Sequence, residues 1–370
     1  MSSKFTKIIS TTMSILILCI LVACSEEAPA EDSEASEGTE NEVYKLTMNS
    51  QNAPAVEGTP SHHGTVEFVE RVEERTDGRV EIEVYFNNQL AGQSESLEAL
   101  TRGTIDFQVI SPVAWADRIP EGDWGNLPYA FQGEEYLHHL VHETKFGELY
   151  TEAFEDYGVK PLHFYHSSAA GYLTTKPIAK PDDFSGVVLS APSPNISDFY
   201  SSMGAGIASV SFADYYESLL RGTIDGVTFP YYSLETYNLS EVVDYITVPG
   251  EVDPALASVV VSSSTWDKLP SDIQEIILEV SMEIEQETME ISKEYTKSGV
   301  QFARDNGIEV IEMSKEDYNE LREISRETYW SKFAEKNERT KEMVDILIDT
   351  IEDIEKSDLQ PYEKYLENYK

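Results

Sequence analysis

The side chains best suited to hold a metal ion are the seven histidines, which fall at three places in the chain. They are His62 and His63, His138 and His139 with His142, and His163 with His166. His138 and His142 are four residues apart, so a helix would place both imidazoles on one face, where they could bind zinc. Leu140 and Val141 occupy the middle of this spacing, so the pair lacks the glutamate base of an H-E-x-x-H motif. We therefore expect surface histidines and no metal site, with a zinc-binding or hydrolytic protein as an alternative.

Motifs for nucleophilic or nucleotide-dependent catalysis are absent from the sequence. It contains no G-x-S-x-G elbow, no S-x-x-K beside suitable partners and no G-x-x-x-x-G-K-[ST] phosphate loop. The glycine-rich stretch from Gly204 to Gly206 follows a predicted helix and not a strand, which argues against a dinucleotide site. The chain is therefore predicted not to be an enzyme and to need no cofactor.

Acidic residues greatly outnumber basic ones. The chain has 68 Asp and Glu against 27 Lys and Arg, which gives a formal net charge of −41 at pH 7. A surface this negative repels phosphate backbones and anionic lipid headgroups, so nucleic-acid binding is excluded and membrane attachment would need another device. The 370 residues, of which 41% are hydrophobic, are enough for two folded domains.

The first 24 residues have the layout of an export signal. Lys4 and Lys7 precede an apolar stretch at residues 15–22, which is too short to span a bilayer as a helix. The stretch runs into Leu-Val-Ala-Cys24, which resembles the lipobox of bacterial lipoproteins. That resemblance implies a signal peptide over residues 1–23 and a diacylglycerol on Cys24, and an ordinary secretory peptide is the alternative. Because Cys19 would be lost on cleavage, no disulfide is expected.

Residues 24–42 are predicted to form an acidic tether. After the cysteine the sequence is SEEAPAEDSEASEGTENE, without aromatic or branched aliphatic residues, so it cannot bury enough apolar surface to offset its ordering entropy. A lipidated cysteine followed by a polar tether predicts an extracytoplasmic protein held on the outer face of the cell membrane. A Gram-positive bacterium is the preferred setting.

The folded part begins with a β-α-β pattern. Residues 43–48 alternate apolar and polar as in a strand, a helical stripe follows at residues 66–72, and a second alternating run covers residues 80–86. This order favours a parallel sheet with helices on its faces, so the predicted fold class is α/β.

A five-residue repeat indicates two related lobes. The sequence R-G-T-I-D occurs at residues 102–106 and again at 221–225, each time after a helical pattern and before a short apolar run that leads into a proline. Gly103 and Gly222 stand where a helix needs a left-handed C-terminal cap. Because ligands of open parallel sheets bind beyond the carboxyl ends of the strands, two such lobes would form a cleft. The predicted cleft residues are Ser111, Trp115, Phe229, Tyr231 and Tyr232.

A long helix and a helical C-terminal region follow the second lobe. Ser271 and Gln274 fit an S-x-x-Q capping box and Asn306-Gly307 supplies a stop, so one helix is predicted over residues 271–306. At 1.5 Å per residue it would be roughly 50 Å long, enough to lie across both lobes. Residues 314–370 are predicted as charged helices packed on the outside. The predicted lobes are residues 43–166 for lobe I, with returning segments within 251–310, and residues 167–250 for lobe II.

Two segments carry a resemblance to a known family. LAGQSE at residues 90–95 and TTKPIAKPDDFSGVVLSAPSP at residues 174–194, together with the R-G-T-I-D units, resemble the solute receptors of tripartite ATP-independent periplasmic (TRAP) transporters, of the dicarboxylate-receptor type. The similarity covers nearly all of residues 43–310 in the right order. It implies a two-lobed, periplasmic-binding-protein-like fold that closes around a small solute and delivers it to a membrane permease driven by an ion gradient. It implies no catalysis.

The chain departs from this family where the solute should be held. Receptors of this kind clamp a carboxylate with an arginine in the strand after the K-x-P-D-D-x-x-G segment, where Ser190 stands here. Tyr172 occupies the place of a second family arginine before the Thr-Thr pair, and Phe229 replaces the family's asparagine before a proline. Since the planar fork of arginine pairs both carboxylate oxygens, these changes predict a solute that is not an ordinary organic acid.

We expect a small cationic or neutral polar solute, such as an amine. An aromatic wall would suit an ammonium group or the apolar face of a ring, although any single ring could instead belong to the core. The predicted wall consists of Trp115, Tyr172, Phe229, Tyr231 and Tyr232. Gln93 and Asn195 are predicted hydrogen-bonding groups, and Asn195 could equally shape the turn at Pro194. A conventional organic-acid receptor is the alternative function.

Overall fold

The computed structural model describes residues 42–191, 194–357 and 361–370. The predicted signal peptide, the lipidation site Cys24 and the tether up to residue 41 lie outside these residues. Within the described part of the chain, no helix is both long and apolar enough to cross a membrane.

Ten strands of the described residues form one mixed sheet. They are β1 (Tyr44–Ser50), β2 (Val80–Tyr85), β3 (Phe107–Ile110), β4 (Val159–Thr174), β5 (Val188–Ser190), β6 (Gly206–Ala208), β7 (Gly226–Pro230), β8 (Tyr245–Val248), β9 (Val252–Ser262) and β10 (Glu309–Glu312). Hydrogen-bonded neighbours follow the order β2-β1-β3-β9-β4-β7-β5-β6, while β8 pairs with β4 and β10 pairs with β8.

The sheet contains two parallel groups joined by two long antiparallel strands. Strands β2, β1 and β3 run parallel to one another, as do β7, β5 and β6. Between the groups, β9 pairs antiparallel with β3 and β4, and β4 pairs antiparallel with β7. Since each parallel group needs helices on its faces, this arrangement confirms the α/β class. The exact lobe boundaries stay a prediction.

Helices pack against the sheet, and those of six or more residues take the labels α1 to α9. They are α1 (Phe68–Arg75), α2 (Ser96–Thr101), α3 (Glu134–Glu143), α4 (Phe146–Glu155), α5 (Pro194–Ser202), α6 (Tyr215–Leu220), α7 (Ser271–Asp305), α8 (Lys315–Ser325) and α9 (Glu338–Ser357). Shorter α-helices are Pro60–His62, Ser233–Thr236, Ser263–Trp266, Ser331–Ala334 and Tyr362–Tyr365. Two π-helical turns (His63–Glu67, Arg326–Trp330) continue neighbouring helices. The 3₁₀ turns are Pro112–Trp115, Pro120–Asn126, Pro181–Phe184, Phe212–Asp214, Leu239–Glu241 and Leu366–Tyr369.

The two R-G-T-I-D units adopt the same structure. Each follows a short helix, α2 or α6, and leads into a strand, β3 or β7, and both glycines have φ of +66° as their cap position requires. The aspartates also play matching roles. Asp106 Oδ2 accepts the backbone N–H of Thr47 on β1 at 2.9 Å, and Asp225 Oδ2 accepts that of Val188 on β5 at 2.8 Å. Each unit therefore ties its own strand to the neighbouring parallel strand, and the predicted repeat is confirmed.

The long helix is confirmed over Ser271–Asp305, but its start differs from the prediction. Ser271 is the first helical residue and Pro270 is the N-cap, with no side-chain capping bond. The Gln274 side chain instead donates to the backbone carbonyls of Trp266 and Leu269 at 2.8 and 3.1 Å, so it fixes the preceding turn. The predicted capping box is therefore wrong, because Pro270 moves the helix start one residue away from the serine's capping position.

The C-terminal helices contribute to the main core. Tyr318, Trp330 and Phe333 are almost completely buried, as are Leu347 and the tyrosines of the segment at residues 362–369. These residues share one apolar cluster with both parallel groups of the sheet. A second apolar cluster packs β1, β2 and β3 against α1 and the first half of α7. The helices predicted after residue 314 are thus present, but their apolar faces are core and not an outer layer.

Candidate solute-binding site

Tyr172 on β4 belongs to a buried group of tyrosines. Its hydroxyl lies 2.9 Å from the hydroxyl of Tyr129, and its ring packs against those of Phe184 and Tyr200. Tyr129 adopts a left-handed backbone with φ of +57°, and its N–H donates to the carbonyl of Glu251 at 2.7 Å. Tyr172, which is predicted to replace a family arginine, is therefore held beside a carboxylic acid.

Glu251 is a buried carboxyl group between β8 and β9, and it lies where β4, β7 and α5 meet. The Tyr200 hydroxyl donates to its Oε1 and Oε2 at 3.1 and 2.8 Å, and the Thr228 hydroxyl donates to Oε2 at 3.2 Å. Only 2% of Glu251 is exposed. Among the described residues no lysine, arginine or histidine forms an ion pair with it, so neutral hydroxyl groups are its partners.

Burial changes the protonation of this carboxyl group. Loss of water raises the pKa of Glu251 to about 7, although hydrogen bonds from Tyr172, Tyr200 and Thr228 act in the opposite direction. Two further acids are buried: Asp253, two residues after Glu251, and Glu134, whose pKa depends on the charge of Asp253. Burial raises the pKa of Asp253, and burial together with the charge of Asp253 raises the pKa of Glu134. This part of the interior is thus rich in acids, and it would be stabilised by a cation.

Asp253 receives its hydrogen bonds from the C-terminal segment. The hydroxyls of Tyr365 and Tyr369 donate to its Oδ2 at 2.8 and 2.5 Å. The Tyr369 oxygen also accepts the N–H of Gly250 at 3.0 Å. Tyrosines of the segment at residues 362–369 therefore fix the turn that carries Glu251 through Asp253 and Gly250.

Ser190 and Asn195, two predicted site residues, make contacts of different kinds. Ser190 is 2% exposed, and its hydroxyl lies 3.5 Å from the carbonyl of Val210. The Asn195 amide donates to Oδ2 of Asp123 at 3.2 Å, and the Tyr329 hydroxyl donates to Oδ1 of the same carboxylate at 2.9 Å. Asn195 therefore joins α5 to the 3₁₀ turn at Pro120–Asn126.

Two predicted residues of the first lobe, Gln93 and Trp115, lie together near α2. The Gln93 amide donates to the side chain of Gln51 at 3.0 Å on the surface, and Ser111 is half-buried at the end of β3. The Trp115 indole N–H donates to the Gln93 carbonyl at 3.1 Å, and its ring packs against Phe154 in the core. Gln93 and Trp115 are therefore in contact, but Trp115 is a packed core residue in this structure.

The predicted aromatic wall is not assembled here, because each ring packs in a different place. Phe229 packs with Phe212, Tyr215 and Tyr237. Tyr231 is fully buried against Tyr369, and Tyr232 packs against Tyr295 of α7. The ring partners of Tyr172 and Trp115, given above, differ from these. Their contact with a solute stays a prediction.

The histidines form a cluster that the sequence reveals only in part. His138 and His142 share one face of α3 as predicted, with ring centroids 4.5 Å apart, and His142 Nε2 lies 2.5 Å from Oε1 of Glu285 on α7. His163 and His166 on β4 are buried, so the prediction of surface histidines is wrong for these two. Burial lowers the pKa of both to about 4, so they are neutral at pH 7.

Glu251 and Glu285 were missed because nothing local in the sequence marks them. Glu251 stands in a loop between two strands, and the hydroxyls of Thr228 and Tyr200 that bond it lie 23 and 51 residues away in the chain. Glu285 is one of many acids on α7. Two prolines, Pro249 and Pro254, flank Glu251 and are the local signal of an unusual backbone there.

A sequence profile of the family described as "Bacterial extracellular solute-binding protein, family 7" matches residues 51–337. The C4-dicarboxylate-binding periplasmic protein DctP of Rhodobacter capsulatus is 29% identical over 218 residues, which span 58% of this chain and 65% of that protein, a little under two thirds. Two solved structures are similar in fold over nearly their whole length.

One of them is a TRAP periplasmic solute-binding protein from Ochrobactrum anthropi with its C-terminus bound in the ligand-binding pocket. It has a TM-score of 0.77 and 20% identity, and the match covers 85% of this chain and 97% of that one. The other, from Rhodoferax ferrireducens with bound malonate, has a TM-score of 0.74 and 21% identity, covering 83% and 98%. The fold is therefore the two-lobed fold of TRAP receptors, and the chain belongs to the family of bacterial extracellular solute-binding proteins, family 7.

Proposed function

We propose that this protein is an extracytoplasmic receptor that binds a small polar solute between its lobes and delivers it to the membrane permease of a TRAP transporter. The profile match over residues 51–337 and the shared fold support this function. The solute favours the closed arrangement of the lobes, and binding shifts the population toward it. Closure then forms the surface on which the permease docks.

The solute is cationic or neutral, and an amine fits best. The observation that carries this proposal is the buried Glu251, which has hydroxyl partners and no basic one, beside a tyrosine in the place of a family arginine. An ammonium group would neutralise this carboxylate and lie against the faces of Tyr172 and Tyr200. An arginine clamp at position 172 or 190 would reverse that preference, and the chain has neither.

Entry of the solute requires the lobes to part. Tyr129, Tyr172, Tyr200 and Glu251 are each at most 2% exposed, so no solute reaches the carboxyl group in the arrangement described here. Asn195 and Asp123 link α5 to the turn at Pro120–Asn126, and this contact would open with the lobes. The mechanism thus couples access to Glu251 with a change in lobe separation.

A receptor for an organic acid is the second candidate. It is supported by relatives whose structures contain malonate or D-glucuronate and by the name of the Rhodobacter capsulatus protein. In this alternative, the protonated Glu251 and the tyrosine hydroxyls would donate hydrogen bonds to the solute. Binding would then weaken above pH 7, where Glu251 is ionised.

A panel of solutes, tested by thermal unfolding of the purified protein at pH 6 and at pH 8, separates these candidates. The panel contains choline, betaine, putrescine, malonate, glucuronate and a polyol. A solute at a hundredfold excess over its Kd adds about 2.7 kcal/mol to the stability of the folded state. We expect a rise in Tm with an amine and none with malonate or glucuronate, and the reverse result would establish the organic-acid receptor.

Two variants locate the binding group. Glu251→Gln keeps the shape of the side chain but removes the charge, so it should abolish the shift caused by an amine. Glu134→Gln is the matched control, since it also removes a buried carboxyl group of raised pKa, but one that is bonded to Ser292 of α7 at 2.7 Å. Equal loss in both variants would show a general effect of charge and contradict the role of Glu251.

Lipid anchoring through Cys24 to the outer face of the membrane is part of the same proposal. It is supported by the lipobox-like sequence and the acidic tether that follows it. The relatives named above are from Gram-negative bacteria, so the Gram-positive setting depends on these sequence features alone. Expressed in its native cell, the Cys24→Ala variant should lose its membrane association, and an unchanged membrane fraction would exclude the anchor.

A further inference from the structure

Helix α3 and helix α7 bring two imidazoles and a carboxylate to one point. One ligand atom from each of His138, His142 and Glu285 lies within 4.8 Å of the other two. Two of the three residues come from one turn of α3 and the third from α7, 143 positions later than His142. Glu285 is almost fully buried, and its second oxygen accepts the backbone N–H of Phe164 at 3.1 Å, which fixes the orientation of the carboxylate.

The chemistry of this group suits zinc. Zinc binds imidazole nitrogen and carboxylate oxygen at about 2.0–2.2 Å in a tetrahedron, which places neighbouring ligand atoms roughly 3.4 Å apart. Small rotations of the half-buried His138 imidazole and the exposed His142 imidazole would reach that spacing around a fixed Glu285. A surface pocket of about 480 Å³, lined by His142, Glu285 and Glu148 among others, leaves room for a water molecule as the fourth ligand.

Unpartnered imidazole nitrogens provide independent support. Nδ1 of His138 is buried and has no hydrogen-bond partner. His166 is completely buried, neither of its ring nitrogens has a partner, and the charges of Glu285, His138 and His142 all act on it. Buried polar atoms normally have partners, and a cation bound beside Glu285 would give the free nitrogen of His138 one.

We propose that His138, His142 and Glu285 bind a zinc ion that joins α3 to α7. The site is separate from Glu251 and independent of the solute, and a catalytic role is not part of the proposal. Zinc would add a link between the two helices, and the protein would unfold at a higher temperature when zinc is present.

Titration calorimetry of the purified protein, made without a histidine tag, tests the site with Zn²⁺, and Mg²⁺ serves as the hard-cation control. We expect one Zn²⁺ per chain and no heat with Mg²⁺. His138→Gln and His142→Gln should each weaken Zn²⁺ binding by at least about tenfold, since even loss of an outer partner has that effect. His139→Gln is the matched control, because His139 is exposed and its side chain bonds Glu143 of its own helix.

Co²⁺ provides a second readout that does not depend on how well the variants fold. Bound to the unaltered protein in a tetrahedral site, it should give intense visible absorption bands that Zn²⁺ then removes. Failure of the unaltered protein to bind Zn²⁺, or equal binding by the His138, His142 and His139 variants, would overturn the proposal. An octahedral Co²⁺ spectrum would overturn the three-ligand geometry.

Discussion

The hydroxyl of Tyr200 donates to Oε2 of Glu251 at 2.8 Å, and no cation takes part in this buried contact among the described residues. A carboxylate held in this way is stabilised only by neutral dipoles. Ionisation of Glu251 in the interior therefore costs free energy. Either a proton or a cationic solute would remove this cost by neutralising the carboxylate. Proton binding makes the first prediction.

Glu251 should make the protein less stable as the pH rises. Burial raises the pKa of Glu251 from an ordinary 4.5 to about 7. The stability that this shift gives the folded state is therefore fully present below pH 4.5 and is lost as the pH approaches and passes 7. The loss is at most about 3 kcal/mol. Between pH 5 and pH 8, the Tm of the unaltered protein should fall more than that of Glu251→Gln in parallel thermal scans. Equal slopes would show that the carboxyl group has an ordinary pKa.

Tyr369→Phe should destabilise the protein more than Tyr362→Phe. The first change takes one donor from the buried Asp253 and leaves the N–H of Gly250 without its acceptor, which costs about 1–3 kcal/mol. The second removes only a hydroxyl that donates to the Met313 carbonyl at 2.9 Å, worth about 1 kcal/mol. Urea unfolding at pH 7 measures both. A smaller loss for Tyr369→Phe would mean that water replaces the hydroxyl at Asp253.

Gly171→Ala should destabilise the sheet next to Tyr172. A Cβ at this position would lie 2.0 Å from the Tyr231 hydroxyl and 2.8 Å from the backbone carbonyl of Thr247. Overpacking of this kind costs about 1–3 kcal/mol and would displace Tyr231 from its bond to Thr247. Gly125→Ala is the control, since its Cβ would only touch Leu256 at 3.8 Å. Equal Tm values for the two variants would contradict the close approach.

The two aspartates of the repeat, Asp106 and Asp225, should contribute about equally to the stability of the folded protein. Asp106→Ala and Asp225→Ala each leave a strand N–H, of Thr47 or Val188, without its acceptor, which costs about 1–3 kcal/mol. Asp349→Ala, an exposed position on α9, should change stability by less than about 0.5 kcal/mol. Chemical unfolding of the three variants gives the comparison. A loss in only one half would show that the structural repeat is not an energetic one.

The features predicted correctly from the sequence are those that local signals define. The repeat with Gly103 and Gly222, the opening β-α-β unit and the long helix all depend on periodicity and on glycine at a cap, which neighbouring residues determine. The capping box at Ser271 failed because Pro270 competes for the helix start. The prediction that residues 314–370 pack on the outside was wrong. The many charged residues on one face of these helices indicated a surface layer, although tyrosines on the other face are buried.

The site was harder to predict because its members come from distant parts of the chain. Tyr172 was found through an expected arginine that is missing, yet Glu251 beside it has no motif and depends on the pairing of β4, β7 and α5 for its environment. Aromatic side chains are equally suited to a ring-binding cleft and to a core. Only the packing shows that Trp115 and Tyr231 are buried here, and a spacing argument cannot separate these roles.

The tyrosines that hold the turn around Glu251 also determine when this part of the protein can fold. Asp253 accepts hydrogen bonds from hydroxyl groups that lie 112 and 116 residues later in the chain, and the Gly250 N–H donates to one 119 residues later. Closing loops of this length costs entropy before any of these bonds forms. Residues 362–369 must therefore reach this turn before it is fixed, so we expect the turn that carries Glu251 to be among the last parts of the chain to become stable.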